Sequence, residues 1–218
     1  MILYNWQFAP NCRRVRMFIL EKGIEMPTIS EVIDEGMKLQ SSYIQMWRPA
    51  MVPLLELDDG TRISEALAIT RYLEDMHPET NLLGSTPLER AFVLMWERPG
   101  YDEGIVGTAE VVRNSMEVFH DRGLPGFGDE VVVQIPGLIA RGQQRVRRYL
   151  DKAEGQLSKH PYFAGERFTF ADITNLCAID FALFAGITFD GQTIPERYPA
   201  VARWHQLVSA RPAAIASV

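Results

Sequence analysis

The chain has 218 residues, 47% of them apolar and 23% charged, with a net charge of −6 and a pI near 5.3. Such a balance can fill a proper core and argues against a nucleic-acid partner or an anionic membrane surface. No apolar run approaches the ~18 residues of a membrane span, the first residues lack the charged start of a signal peptide, and Cys12 and Cys177 alone cannot build a disulfide framework, so a cytoplasmic setting is expected.

Residues 2–6 have the aromatic and β-branched character of a short strand. Pro10, Asn11 and Cys12 break it and open a helix with Val15, Phe18 and Ile19 on its apolar face, closed by Lys22 and Gly23. Residues 28–33 read as a second strand, and 34–47 as a weak helix or irregular crossover. Residues 51–73, MVPLLELDDGTRISEALAITRYL, are the most informative stretch. A Val-Pro step enters a short apolar strand, Asp58-Asp59-Gly60-Thr61 makes a hairpin turn, and a second strand runs into Ser64-Glu65-Ala66. There a helix starts, with Ser64 as its expected cap and Ile69, Tyr72, Leu73 and Met76 on one apolar face. The order β-α-β-(α)-β-β-α predicts a thioredoxin-like domain with one mixed sheet over residues 1–78.

Residues 79–87 read as a turn-rich linker, and beyond it the pattern is all-helical over 88–218. Pro99 and Gly100 are expected to kink or interrupt a long helix that resumes through about Phe119. Residues 121–137, with their Gly and Pro, read as a loop bordering a cleft. Val146, Tyr149, Leu150, Ala153 and Leu157 form the inward face of the next helix, and Arg141, Arg145, Arg147, Arg148 and Lys152 its solvated face. Thr169 and Asp172 form a capping box, with Phe168 and Ile173 as its hydrophobic staple, and Cys177 on that helix reads as packing.

Several residues point to chemistry. A helix N-terminus offers free N–H groups and partial positive charge to an anion, and Glu65 beside one can hold a cation. Together they suit a zwitterionic amino-acid head group. Cys12 lies in a first helical turn beside Arg13 and Arg14, which is either a reason for a lowered thiol pKa or the setting of a thiol that points into the fold. His120 reads either as a base across the cleft or as a surface histidine at a helix end. The histidines are scattered without ligand spacing, so no metal is expected.

The V-P step, L-L-E-L-D-D-G and S-E-A-L-A-I-T-R-Y-L resemble the glutathione-binding half of the glutathione transferase family. Residues 165–172 resemble the folding motif of that family's helical domain, and Tyr198-Pro199-Ala200-Val201 with Trp204-His205 its last helices. The resemblance therefore spans nearly the whole chain. It implies a cis Pro53, a Val52 whose backbone pairs with the cysteinyl part of glutathione, and a Glu65-Ala66 pair that holds the γ-glutamyl end. Lys38 or Arg48 suits the glycyl carboxylate on charge grounds. Ala9-Pro10-Asn11-Cys12-Arg13-Arg14-Val15-Arg16 resembles the fungal and proteobacterial branch typified by the second yeast glutathione transferase, which lacks the usual Tyr, Ser or Cys beside the sulfur. Here Ala9 stands where Ser-type relatives carry the hydroxyl, and Tyr4 lies mid-strand.

Stabilisation of the thiolate is then expected from the helix dipole at Asn11, from the Asn11 side chain, and from His120, with Ser115 a weaker candidate. Two departures stand out: Trp47-Arg48-Pro49-Ala50-Met51-Val52-Pro53 replaces N-P-x-G-x-V-P, and Ala66 replaces a Ser. The resemblance implies a homodimeric transferase adding the glutathione thiolate to a small hydrophobic electrophile, with Tyr101, Ile105 and Phe119 lining the acceptor pocket. Two alternatives stay open: a non-catalytic transferase-like protein that binds ligands or partners, and a glutathione-dependent thiol–disulfide reductase using Cys12.

Overall fold

A computed structural model describes residues 1–34, 38–126 and 130–218. Its first half runs β1 (Ile2–Asn5), α1 (Pro10–Lys22), β2 (Thr28–Glu31), α2 (Ser41–Met46), β3 (Leu54–Glu56), β4 (Arg62–Ser64) and α3 (Ala66–Met76). The strands form one mixed sheet in the order β2-β1-β3-β4, with β1 parallel to β2 and β3 antiparallel to both β1 and β4. This is the order read from the sequence; the part of the crossover at 35–37 lies outside the described residues. Because strand side chains alternate, Leu3 and its partner Leu55 face one side, packed with Val15, Phe18, Ile69 and Leu73 of the two long helices. Tyr4 and its partner Leu54 face the other, in the cluster of Val32, Tyr43 and Trp47.

Local chemistry sets the helix ends. α1 starts at Pro10, whose fixed φ and missing N–H suit the first helical position, and stops at Gly23, held at φ 63°. The start of α3 corrects the sequence reading. Ser64 still pairs with Leu54 in β4, so it is not the cap; Glu65 takes that place, at φ 68° and with no capping side chain. The chain passes from strand to helix in a single residue, and a serine still held in the ladder cannot fold its hydroxyl over the first turn.

The second half is α4 (Pro87–Pro99), a π-helical segment (Gly100–Ile105), α5 (Val106–Ser115), a 3-10 turn (Glu117–Phe119), α6 (Gly137–Leu157), α7 (Phe170–Phe184), α8 (Ile194–Arg197), α9 (Pro199–Ser209) and α10 (Pro212–Ala216). Pro99 and Gly100 do not interrupt the helix. The missing N–H of Pro99 is accommodated where the coil widens into the π segment. That segment lies hard against α7: a Cβ on Gly100 would stand 2.7 Å from Asn175 Oδ1, and one on Gly104 2.8 Å from the Ala178 Cβ. The helix ends at Ser115, short of Phe119, because Met116 is extended before the 3-10 turn.

The capping box forms as read. Thr169 caps α7, and Phe168 and Ile173 are both buried. Asp172 has no exposed surface and accepts four hydrogen bonds, from Phe163 N–H at 3.0 Å, Trp204 Nε1 at 3.1 Å, Thr169 N–H at 2.9 Å and the Thr169 hydroxyl at 3.2 Å. Burial pushes its carboxyl up to about 6, which leaves it ionised near neutral pH.

Buried ion pairs fix how the two halves sit together. Lys22 donates to Glu74 at 2.6 Å, while the other Glu74 oxygen accepts from Leu82 N–H at 2.8 Å and Leu83 N–H at 3.0 Å. The chain after α3 is thereby pinned to α1 and α3. Arg14 of α1 pairs with Glu97 of α4 and donates to Thr174 of α7 at 3.0 Å. Arg141, Arg147 and Arg148 lie on the solvated face as read, with Arg141 and the half-buried Arg145 sharing Glu110 of α5. No helix among the described residues is long and apolar enough to cross a membrane.

Candidate functional site

Three backbone features of the first half leave main-chain groups open to a ligand. The Val52–Pro53 peptide is cis, as the resemblance implies. Just before it, Ala50 sits at φ 51° and the Met51 carbonyl accepts from the Tyr43 hydroxyl at 2.6 Å. Tyr43 on α2 therefore anchors the approach to Pro53, a role that its place in a weak helix did not signal. Val52 itself makes no hydrogen bond through its N–H or C=O to any described residue. Its N–H and C=O are therefore open to a peptide-like ligand.

The start of α3 supplies the second feature. Without a side-chain cap, the first N–H groups of the helix stay open, and Ala66 is buried behind them. The Glu65 side chain is exposed and makes no hydrogen bond or ion pair with the described residues. An uncapped helix start next to a free carboxylate accepts both ends of an amino-acid zwitterion.

The third feature is the start of α1. Ala9 is its N-cap residue and supplies no capping side chain, so this dipole end is open as well. Asn11 is half-buried in the first turn, and its Oδ1 accepts from Arg14 Nη1 at 3.0 Å. Tyr101, from the π segment, lies between the starts of α1 and α3. The Arg14 guanidinium lies 5.3 Å from the Tyr101 ring centre, and burial followed by the Glu65 charge raises the Tyr101 phenol above its usual range, against the pull of Arg14. Glu65 and Arg14 thus share one neighbour.

Other expectations are corrected. Cys12 is fully buried, and its Sγ accepts from Trp6 N–H at 3.3 Å. Burial pushes the thiol up to about 12, the opposite of what a nucleophile needs. The neighbouring arginines do not relieve it: Arg13 turns to Asp180 and Arg14 to Glu97. Cys177 is likewise buried, with its thiol pushed up to about 11. A thiol reagent at pH 8 is therefore expected to find no reactive thiol in the native protein and two after unfolding. One fast native thiol would return Cys12 to the site.

His120 is exposed, and its Nδ1 lies 2.8 Å from Asp121 Oδ1; none of its described contacts joins it to Asn11, Val52 or Glu65. Once α5 ends at Ser115, the separate 3-10 turn carries this ring to the surface. The Ser115 hydroxyl donates to the Val111 carbonyl at 2.8 Å. Phe119 lies buried beneath the guanidinium groups of Arg113 and Arg122, at 4.8 and 5.3 Å, and Ile105 is buried as well. Of the three residues expected to line the acceptor pocket, Tyr101 is partly exposed and the other two are buried. Lys38 is exposed beside residues outside the described set, and its N–H donates to Asp34 at 2.9 Å.

Gly126 packs against the chain that leads to Pro53. Gly126 lies so near the approach to Pro53 that a Cβ there would stand 3.2 Å from Met51 Sδ and 3.3 Å from the Pro49 carbonyl. Among the described residues, no three His, Cys, Asp or Glu side chains are grouped to hold a metal.

The comparisons agree with this geometry. The chain matches the family models for the glutathione S-transferase N-terminal domain over residues 3–81 and C-terminal domain over residues 138–212. It is 27% identical over 215 residues to Glutathione S-transferase 2 of Saccharomyces cerevisiae, covering 97% of this chain and 87% of the relative. A class Gtt2 glutathione S-transferase of Vibrio parahaemolyticus is similar in structure, with 33% identity, a TM-score of 0.81, and 100% and 96% of the two chains covered. Gtt2 of Saccharomyces cerevisiae, at 26% identity and a TM-score of 0.84, is covered over 100% of both chains. These relatives stand in the fungal and proteobacterial branch that residues 9–16 resemble. With both family models matched in order and a structure 33% identical to this chain covered over 96% of its length, the chain belongs to the glutathione S-transferase family.

Proposed function

We propose that this site binds glutathione and that the protein transfers its thiolate to a small hydrophobic electrophile. The observation that carries this reading is the pairing of an unbonded Val52 backbone with the free Glu65 carboxylate at the open start of α3. Val52, beside Pro53, would take the cysteinyl amide, while Glu65 and the Ala66 N–H would hold the γ-glutamyl ammonium and carboxylate. Lys38 is assigned to the glycyl carboxylate on its charge. Ala66 lacks the hydroxyl that relatives place there, a loss of about 0.5–1.5 kcal/mol that weakens binding without abolishing it.

Magnitudes decide what stabilises the thiolate. The α1 dipole contributes about 0.3–1 kcal/mol, less than one unit on a thiol of pKa ~8.5. A hydrogen bond from Asn11 to a charged sulfur adds about 1.5–3 kcal/mol, one to two units more. The dipole alone leaves mostly thiol at pH 7; with Asn11 the thiolate becomes available. The buried Cys12 argues against the reductase reading, and Cys12→Ser is expected to leave turnover unchanged.

The helical half would be a separate domain over 88–218, joined to domain 1–78 by the linker 79–87. Leu88, Phe92 and Met95 are all exposed and fall at i, i+4 and i+7 on one face of α4, the sort of stripe that a second copy covers in a homodimer. Two free buried cysteines suit a cytoplasmic setting. Conjugation of glutathione to an activated aryl halide, followed by absorbance, tests the activity. Turnover that saturates in both substrates supports the transferase, whereas saturable glutathione binding without turnover of any electrophile supports a binding protein.

A further inference from the structure

Arg14 is the largest side chain buried to within 2% of its surface, and the proposed reaction gives it no part. A guanidinium is desolvated at considerable expense unless every donor is matched. Here the match is spread over both halves of the molecule. Nη2 pairs with Glu97 of α4, Nε donates to Thr174 of α7 at 3.0 Å, and Nη1 donates to Asn11 Oδ1 at 3.0 Å. The Tyr101 and Phe170 rings lie 5.3 and 5.2 Å from its centre, on the π segment and on α7. Cys177 of α7 and the Glu97 carboxylate are the other titratable groups that face it. With partners on three elements, the planar fork has one orientation.

That orientation decides which way the Asn11 amide points. Its oxygen and its NH2 group project to opposite sides of the same carbon, so an oxygen held by Nη1 turns the NH2 group away from Arg14. Nδ2 meets no acceptor among the described residues. A donor left open in the first turn of α1, beside an uncapped helix start, is poised for an anion from outside the chain.

We propose that Arg14 is a positioning residue: seated on Glu97 and Thr174 of the helical half, it holds the Asn11 amide with its NH2 group presented to the sulfur of bound glutathione. The inference rests on the glutathione reading above. It makes thiolate formation depend on the packing of α1 against α4 and α7, two helices that need not touch the sulfur. Lysine cannot replace arginine here, since an ammonium keeps the charge but has no planar fork to hold three partners at fixed angles.

The test is the pKa of the bound thiol, followed by thiolate absorbance against pH, in Asn11→Ala, Arg14→Lys and the double variant. Each single change is expected to raise that pKa by about one unit, a tenfold lower thiolate fraction at pH values below it. The double variant should show no further rise, because both changes remove the same hydrogen bond. Affinity for S-methylglutathione, which has no thiol to titrate, should stay within about twofold throughout, whereas a merely structural defect would lower it. Thr174→Val removes the Nε acceptor and leaves both charges paired; its rise of about half a unit keeps the test in force should Arg14→Lys fail to fold. A wild-type pKa in Arg14→Lys, or a full second unit in the double variant, overturns the proposal. A wild-type protein that binds neither glutathione nor S-methylglutathione overturns the reading on which it rests.

Discussion

Asp172→Ala is expected to lower the unfolding free energy by about 3–5 kcal/mol, a large share of the ~5–15 kcal/mol that holds a typical domain together. The carboxylate is fully buried and satisfies two backbone N–H groups, the Trp204 indole and the Thr169 hydroxyl. Alanine leaves those donors in an apolar interior, and each unsatisfied one costs about 1–3 kcal/mol before any relaxation. The damage spreads beyond one cap, because Trp204 brings in α9 and Phe163 the turn before α7. Urea unfolding followed by tryptophan fluorescence measures it. A loss under 1 kcal/mol would mean that the capping box is local decoration and that α7 does not organise the helical half.

Glu74→Ala is the second large effect, also about 3–5 kcal/mol, and it acts on the connection between the halves. The Lys22 side chain has no exposed surface, so removing Glu74 leaves its buried ammonium without a countercharge, held only by the Glu79 and Thr80 carbonyls at 2.8 and 3.3 Å. The same change releases the Leu82 and Leu83 N–H groups and with them the residues that lead into α4. Glu74→Gln separates the two contributions, since it keeps an oxygen for the backbone N–H groups and loses the charge that Lys22 needs. Glu74→Ala should therefore be cut by protease in residues 79–87 faster than Glu74→Gln. Equal cleavage of the two variants would show that the linker is held by something other than these hydrogen bonds.

Much of the fold was legible because it rests on local signals. The V-P step, the Asp-Gly hairpin and the S-E-A-L helix start lie within one short stretch, and each imposes its own geometry. The Thr169–Asp172 box is legible for the same reason, since both partners sit within one turn. What stayed hidden depends on residues far apart in the chain. Arg14 and Glu97 are 83 positions apart, and nothing in either neighbourhood announces the other. Arg13 and Arg14, adjacent to Cys12 in sequence, left an activated thiol open beside a buried one; along a helix, adjacent residues point in different directions, and these two face separate carboxylates. The π segment escaped notice because Pro99 signals a broken helix, while the packing of Gly100 and Gly104 against α7 keeps the helical path intact. Phe119 was assigned to a pocket on its apolarity, and only the fold shows two arginines lying over its ring.

The candidate site ties these levels together. Its parts are backbone features, a cis peptide, an unpaired Val52 and two uncapped helix starts, with few side chains committed to chemistry. On the proposed reading, N–H groups and dipoles serve where Ala9 and Ala66 offer no hydroxyl, and an amide on Asn11 would supply the donor that a hydroxyl would.

Calorimetric titration with reduced glutathione at pH 7, run on the wild type and on Glu65→Ala, tests the central claim most directly. The account predicts saturable binding by the wild type and an affinity at least about tenfold weaker in the variant, the effect of removing one charge-assisted hydrogen bond of about 1.5–3 kcal/mol. No saturable binding by the wild type, or equal affinities for the two proteins, would contradict it.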